Sequence, residues 1–347
     1  MQTTFPRLML EHARQRPNAP ALREKEYGIW QAVSWASVAT LVRQLACGLA
    51  ARGVGRNDHV VVVGENRPRL YASMLAIQSL GAVPVPLYQD AAVTEYAFPV
   101  NNAEVRCAIV EDQEQVDKML ELRDACPQLD RIWFDDPRGL RNYGDAGLES
   151  MDALIEAGAA FDRQNPAFFD AEVAKASPDD VAAMFFTSGT TGNPKGVVHT
   201  HFTLLDRAGA GRKFDRLSSS EEVLAYLPPA WIGQNIFSYA QWLVCGYVVN
   251  CPESAATVMI DLKEIGPTYY FAPPRVFEGL LTSVMIRMED ASAVKRHLFH
   301  HFMEVARRVG PQRMDGKSVG LLDRLQYALG NLFVYGPLRN SLGLSRV

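Results

Sequence analysis

The chain has 347 residues, enough for one large domain or two moderate ones, and 48% of them are apolar and 21% charged. That is the composition of a folded globular protein, and a net charge of −4 argues against a general nucleic-acid binder. The first residues, "MQTTFPRLMLEHARQRPN", hold no long apolar run and no small-residue cleavage site, so no secretory signal is read there, and a cytoplasmic location is expected.

The first clear element is "HVVVVGEN" (59–66), which reads as a buried strand. A helix closed by Gly81 follows (67–82), then a strand, "VPVPLY" (83–88). The unit recurs as a strand at 105–110, an amphipathic helix at 113–126 and a strand at 131–134. Strand–helix–strand units at this spacing predict an α/β fold with parallel sheets and helices on both faces. From 137 to 178 the chain is richer in Gly, Asp, Asn and Pro and reads as an irregular connection with one short helix. "NIFSYAQWLVCGYVVNC" (235–251) is interrupted by polar residues and reads as a buried helix running into a strand, not as a membrane span. "TVMIDLKEIGPTYYFAPP" (257–274) predicts helix, strand and loop. Beyond it a helix carries an apolar stripe of Val294, Leu298, Phe302, Val305 and Val309, with Gly310–Pro311 as its stop. Arg346–Val347 reads as the start of a strand. An approximate division is 1–178 as a first α/β part, 179–275 as a glycine-loop part and 276–347 as a helical part.

The five cysteines are scattered, odd in number and without a CxxC pair, which suits reduced thiols better than disulfides or a zinc site. His297 and His301 stand four apart on a helix, but no carboxylate–histidine pattern supports a metal there. From Ser292 to Val347 nine Lys/Arg face three Asp/Glu, a local charge of +6 that leaves −10 for the rest. This basic end suits either contact with an anionic membrane or a plain solvated face.

The chemistry concentrates in "MFFTSGTTGNPKGVVHTH" (184–201). Glycines let several backbone N–H groups point inward, hydroxyls add donors and a lysine adds a mobile charge, a combination that suits nucleotide phosphates. A P-loop is excluded, because counting from Gly189 its Gly-Lys pair would fall on Pro194–Lys195, and β-branched "GVVHTH" continues as a strand where a P-loop continues as a helix. A plain hairpin turn would need only one or two of these glycines.

"FFTSGTTGNPKGVV" resembles the signature of the adenylate-forming superfamily, which includes acyl-CoA synthetases, luciferases and peptide-synthetase adenylation domains. "LACGLAARGVGRNDHVVVVGENRPRLYASMLAIQSLGAVPVPLY", "AYLPPAWIGQNIF" (225–237) and "FAPPRVFEGLL" (271–281) resemble further family segments in the same order, so the resemblance covers most of 10–347. It implies the family's N-terminal domain and a reaction that joins a carboxylic acid to AMP and then passes the acyl group to coenzyme A. It implies that Ser188, Gly189, Thr190, Thr191, Gly192 and Lys195 cradle ATP phosphates, with Lys195 catalytic and Thr187 helping to hold both ATP and Mg²⁺. Many relatives carry histidine where Trp231 stands here. Tryptophan at that position resembles the long-chain fatty-acyl branch and places Trp231 and Gln234 beside the acyl substrate, although a core role for Trp231 stays open. The implied ligands are ATP, Mg²⁺, CoA and a fatty acid. The Tyr-Gly-x-Thr-Glu motif, the later ribose-gripping aspartate and the C-terminal lysine domain are missing, and Glu65, Glu278 and Asp290 stand outside any such motif. The expectation is an N-terminal portion of a long-chain fatty-acid–CoA ligase, inactive alone and prone to self-association; the alternative is a short acyl- or nucleotide-binding module or half of a split enzyme.

Overall fold

The computed structural model describes residues 2–187 and 194–347, and it divides into two compact units, Met1–Ala255 and Ala256–Val347. The first unit begins with α1 (Phe5–Gln15), then β1 (Pro20–Glu26) and β2 (Ile29–Ser34), joined by Tyr27 and Gly28, both at positive φ as a two-residue hairpin turn requires. There follow α2 (Trp35–Ala51), β3 (His59–Val63), α3 (Pro68–Ser79), β4 (Val83–Pro86), α4 (Val93–Asn102), β5 (Cys107–Val110), α5 (Gln113–Leu122) and β6 (Arg131–Phe134). β7 (Leu148–Ser150), α6 (Met151–Gln164), α7 (Phe168–Lys175), β8 (Val181–Thr187), β9 (Lys195–Thr200), α8 (His201–Phe214) and β10 (Glu222–Leu224) come next. The unit ends with α9 (Ile232–Gln234), a π-helical segment (Asn235–Ala240), α10 (Gln241–Cys245) and β11 (Val248–Cys251). Side chains start several helices: Ser34, Asp112, Ser150 and Thr200 each accept a hydrogen bond from a backbone N–H of the first turn.

Five strands form an all-parallel sheet in the order β4-β3-β5-β6-β7. Alternation along the strands sends side chains to two faces. Val61, Val63, Ala108, Val110 and Ile132 join α4 and α5 through Tyr96, Val100, Val116 and Met119. On the other face Ile109 lines a small gap with Leu70 of α3 and Met151 of α6. The second sheet, β10-β11-β1-β2, is parallel except at the β1–β2 hairpin, and β8–β9 form an antiparallel pair of their own. The buried stretch ahead of β11 is helical as expected, and no helix among the described residues is long and apolar enough to cross a membrane.

The region from 137 to 178 is more ordered than its composition suggests. It holds the 14-residue α6 as well as α7. Gly158 is a packing residue here, not a breaker: a Cβ on it would stand 1.8 Å from the carbonyl oxygen of Gln44, and one on Gly48 would stand 2.3 Å from that of Leu154. Helices α2 and α6 therefore meet backbone to backbone. Trp35 stacks on Trp242 at 4.9 Å, with Tyr71 and Tyr239 beside them, to form an aromatic core. All five cysteines are free and buried. Burial pushes the thiols of Cys47 and Cys245 up to about 11 and that of Cys107 to about 12, and raises those of Cys126 and Cys251 as well.

The second unit is helical among its described residues: α11 (Val258–Ile265), α12 (Pro274–Glu289), α13 (Ala293–Met314), α14 (Leu321–Gly330), a π-helical segment (Asn331–Tyr335) and α15 (Gly336–Ser341). The strands expected after α11 and at Arg346–Val347 are absent. Pro311 does not end α13 but lies in its last turn, near enough to the end that little of the ladder is lost. The stop is Gly316, at φ +67, where Gly316 N–H donates to Arg313 O and Lys317 N–H to Gln312 O in a Schellman arrangement. The buried face also differs from the expected stripe. Phe299, Phe302, Val305 and Val309 are buried with Val284 and Val334, whereas Val294 is 78% exposed and Leu298 37%.

Candidate functional site

The glycine-rich stretch is held by the β8–β9 hairpin, whose register runs from Val181↔Thr200 to Thr187↔Lys195. Two expected site residues, Thr187 and Lys195, are thus brought together as the last pair, both exposed. Ser188, Gly189, Thr190, Thr191 and Gly192 lie outside the described residues. Gly196, opposite Phe186, has a packing role: a Cβ there would approach the Phe186 ring to 3.2 Å and the Met184 sulfur to 3.3 Å. Met184 and Phe186 in turn rest against the apolar cluster of the parallel sheet.

The other end of the hairpin is anchored by buried polar contacts. Gln78 Nε2 of α3 donates to Ala182 O at 2.8 Å, and Tyr239 OH donates to Gln78 Oε1 at 2.7 Å. His201, 1% exposed, accepts the Phe5 N–H at Nδ1 (3.3 Å). Burial lowers its pKa to about 4, with Arg7 adding to the shift and Asp180 opposing it, so the ring is neutral near pH 7. Asp180, just before β8, pairs with Arg56 at 2.8 Å. A firmly held base therefore carries the two exposed residues at the tip.

Trp231 and Gln234 belong to a different element, the turn into α9. Trp231 is half-buried, and its indole folds back over Gly233, where an added Cβ would come within 2.5 Å of the ring. Gln234 is 3% exposed and donates to Asn66 Oδ1 (3.2 Å) and Ser238 Oγ (2.8 Å). Asn66 also accepts from Tyr71 OH (2.9 Å) and donates to Leu227 O (2.8 Å), which ties the loop after β3 to the "LPP" segment.

Asn66 and Tyr71 were not singled out from sequence, and of the charged cluster beside them only Glu65 was named, as a carboxylate outside the family motif. Arg67 lies 2.9 Å from Glu111 and 3.3 Å from Glu65, and it donates to the carbonyl oxygens of Pro252 and Glu253 at 2.9 Å each. Burial, then the Glu111 charge, raises the Glu65 carboxyl above its usual range. Burial pushes Asp135 up to about 6, with Arg69 opposing. These groups sit after the carboxyl ends of β3, β5 and β6, where strand order reverses about β3, the usual crevice for ligands in open parallel sheets. The available signal was "GEN" directly after a run of four valines. Elsewhere, Glu278 and Asp290 are exposed in or beside α12, and His297 and His301 are exposed on α13, with no group of three or more potential metal ligands among the described residues.

Comparison with known proteins matches residues 9–322 to the family described as AMP-binding enzyme. The long-chain-fatty-acid–CoA ligase FadD15 of Mycobacterium tuberculosis is 28% identical over 97% of this chain and 54% of its own length. The human long-chain-fatty-acid–CoA ligase ACSBG2 is 24% identical over 98% of this chain and 51% of its own. The chain thus spans about half the length of the curated relatives it matches. Among solved structures, the anthranilate CoA ligase AuaEII superposes with a TM-score of 0.67 at 20% identity, covering 78% of this chain and 50% of that one. The N-terminal domain of FACL13 from Mycobacterium tuberculosis superposes with a TM-score of 0.63 at 21% identity, covering 80% and 64%. The chain belongs to the AMP-binding enzyme family, and its fold is that of the N-terminal domain of adenylate-forming enzymes.

Proposed function

We propose that this chain supplies the ATP-binding part of an AMP-forming long-chain fatty-acid–CoA ligase, with the tip of the β8–β9 hairpin as its phosphate site. The observation that carries the reading is the terminal pair Thr187↔Lys195, which puts a hydroxyl and an ammonium at the two mouths of "SGTTGNP". A carboxylate is a poor electrophile, and adenylation gives it a good leaving group. The protein must align carboxylate and α-phosphorus while neutralising charge on the departing pyrophosphate. Lys195 provides that charge, and the 188–192 hydroxyls and amides surround the phosphates. Thr187 offers an exposed hard oxygen, the donor type that Mg²⁺ prefers, and the cation when bound would neutralise phosphate charge. Trp231 walls the acyl path, with Gln234 positioning it through the Asn66 network. Similarity to the two fatty-acid–CoA ligases supports the substrate class, with CoA as acyl acceptor.

The test is titration of the chain with a fluorescent ATP analogue. Lys195→Ala is expected to weaken binding about tenfold, the loss of a charge-assisted contact, with an unchanged circular dichroism spectrum. Equal binding by wild type and variant would remove the hairpin tip as the phosphate site. Nucleotide binding without fatty-acid-dependent pyrophosphate release would favour a binding module or a half-enzyme that needs further residues.

A further inference from the structure

The helical unit holds a cavity of about 800 Å³ between the end of α13, the loop after it, α14 and α15. Such a volume falls within the roughly 300–1,000 Å³ of ordinary ligand sites. Its lining is strongly one-signed: Arg313, Lys317, Arg324 and Arg339 converge there, and no carboxylate lines it. Of the nearby acids, Asp323 pairs with Arg308 at 2.8 Å, away from the lining, and Asp315 pairs with Lys317 of the basin itself, also at 2.8 Å. Among the described residues Arg313, Arg324 and Arg339 have no ion-pair partner. Two of these guanidiniums are nevertheless oriented. Arg313 stacks over the Tyr327 ring at 4.6 Å, and Arg339 donates to Asn331 Oδ1 at 2.7 Å.

Gathering three guanidiniums without ion-pair partners around one concavity, with Lys317 balanced by a single carboxylate, costs free energy that a bound anion recovers. Planar guanidiniums match the oxygens of phosphate, and Ser318 on the cavity wall adds a hydroxyl donor. We propose that this basin is a binding site for a phosphate-bearing anion, built from other elements than the hairpin tip. Gly316 belongs to the design. Its left-handed conformation turns the chain back after α13 and sets Lys317 and Ser318 on the cavity wall.

Two sources share this chemistry, a free phosphate compound and a phospholipid headgroup. The headgroup source gains interest from α14, where Leu321, Leu325 and Leu329 are exposed on the helix face next to the one that carries Arg324 and Tyr327.

The experiment uses the full chain carrying Lys195→Ala, so that the hairpin tip contributes least, titrated calorimetrically with inorganic pyrophosphate. Binding is expected, and adding Lys317→Ala with Arg324→Ala should weaken it by about tenfold or more. Both residues are exposed, so the helical circular dichroism signal should not change. Should the double variant lose that signal, Arg324→Gln alone, which keeps size and polarity, replaces it and should still weaken binding. No heat from pyrophosphate, or equal affinity with and without the basin substitutions, overturns the proposal while leaving the ATP reading intact. Vesicles of phosphatidylcholine with and without phosphatidic acid separate the sources. Sedimentation with the anionic vesicles that pyrophosphate reverses identifies a headgroup, and pyrophosphate binding without sedimentation identifies a soluble phosphate. Sedimentation that neither pyrophosphate nor the basin substitutions reduce overturns the site.

Discussion

The two units of the chain solve the problem of burial in different ways. In the first, strands distant in sequence are layered between helices, and entire elements such as β3 and β5 have almost no exposed side chains. In the second, six helical residues form the main described core, while Leu321, Leu322, Leu332 and Phe333 each leave more than half of their surface in water. Apolar burial contributes roughly 25 cal/mol per Å², so rigidity is concentrated where the sheet is. The proposed ATP site grows from the rigid unit, through a hairpin whose base is buried. The phosphate basin lies among exposed side chains of the helical one. A site that must hold reacting groups in line gains most from the former; a site that only has to attract an anion tolerates the latter.

The sharpest way to break this contrast is to damage the rigid unit at its tightest contact. Gly158→Ala forces a methyl group into the backbone of α2 and should cost about 3 kcal/mol or more, read as a lowered urea midpoint. Little change would mean that α2 and α6 can separate cheaply. Next in size is the pH dependence set by His201. Its folded pKa, about 4, lies below the unfolded value of about 6.5, so acidification protonates the unfolded chain first. Stability should therefore be full above pH 6.5 and fall by about 3 kcal/mol toward pH 4. Asp135, raised to about 6, works in the opposite sense and loses stability as pH rises through that value. His201→Gln should flatten the acid limb in urea titrations across this window, whereas an unaltered limb would assign it to other groups. Asn66→Ala removes one residue that joins three partners and leaves the buried Gln234 and Tyr71 short of an acceptor, at about 2 kcal/mol. The smallest effect belongs to the second unit. Val305→Ala should cost about 1.5 kcal/mol, and amides of α13 should exchange with deuterium faster than those of β3. Equal exchange in the two elements would erase the contrast.

What could be read from sequence follows the same division. The parallel sheet was legible because a doubly buried strand such as β3 carries an unbroken run of four valines after His59, and each strand alternates with a helix. The hairpin was legible for the opposite reason, its crowded glycines and hydroxyls. In the helical unit local signals misled. Val294 and Leu298 fit an apolar period but lie on the exposed side, because packing chose the neighbouring face through Phe299. Pro311 was read as a stop because proline disfavours helix interiors, yet in a last turn it removes little. "TYYFAPP" has strand-forming residues yet adopts no strand, since β-propensity is a weak guide that the tertiary setting overrides. The Asn66 network and the Arg67 cluster escaped notice because their partners are far away in sequence. Asn66 reaches Leu227 and Gln234, and Arg67 reaches Glu111 and Glu253.

The burial of every cysteine has a practical side. Thiol reagents attack the thiolate, and groups that ionise only far above neutral pH behind packed side chains present almost none. The native chain is therefore a dark background for maleimide chemistry. One cysteine introduced on the exposed face of α12, at Ser283, would carry a fluorophore alone, so that movements of the helical unit could be followed by single-molecule spectroscopy without first stripping the protein of its own sulfur.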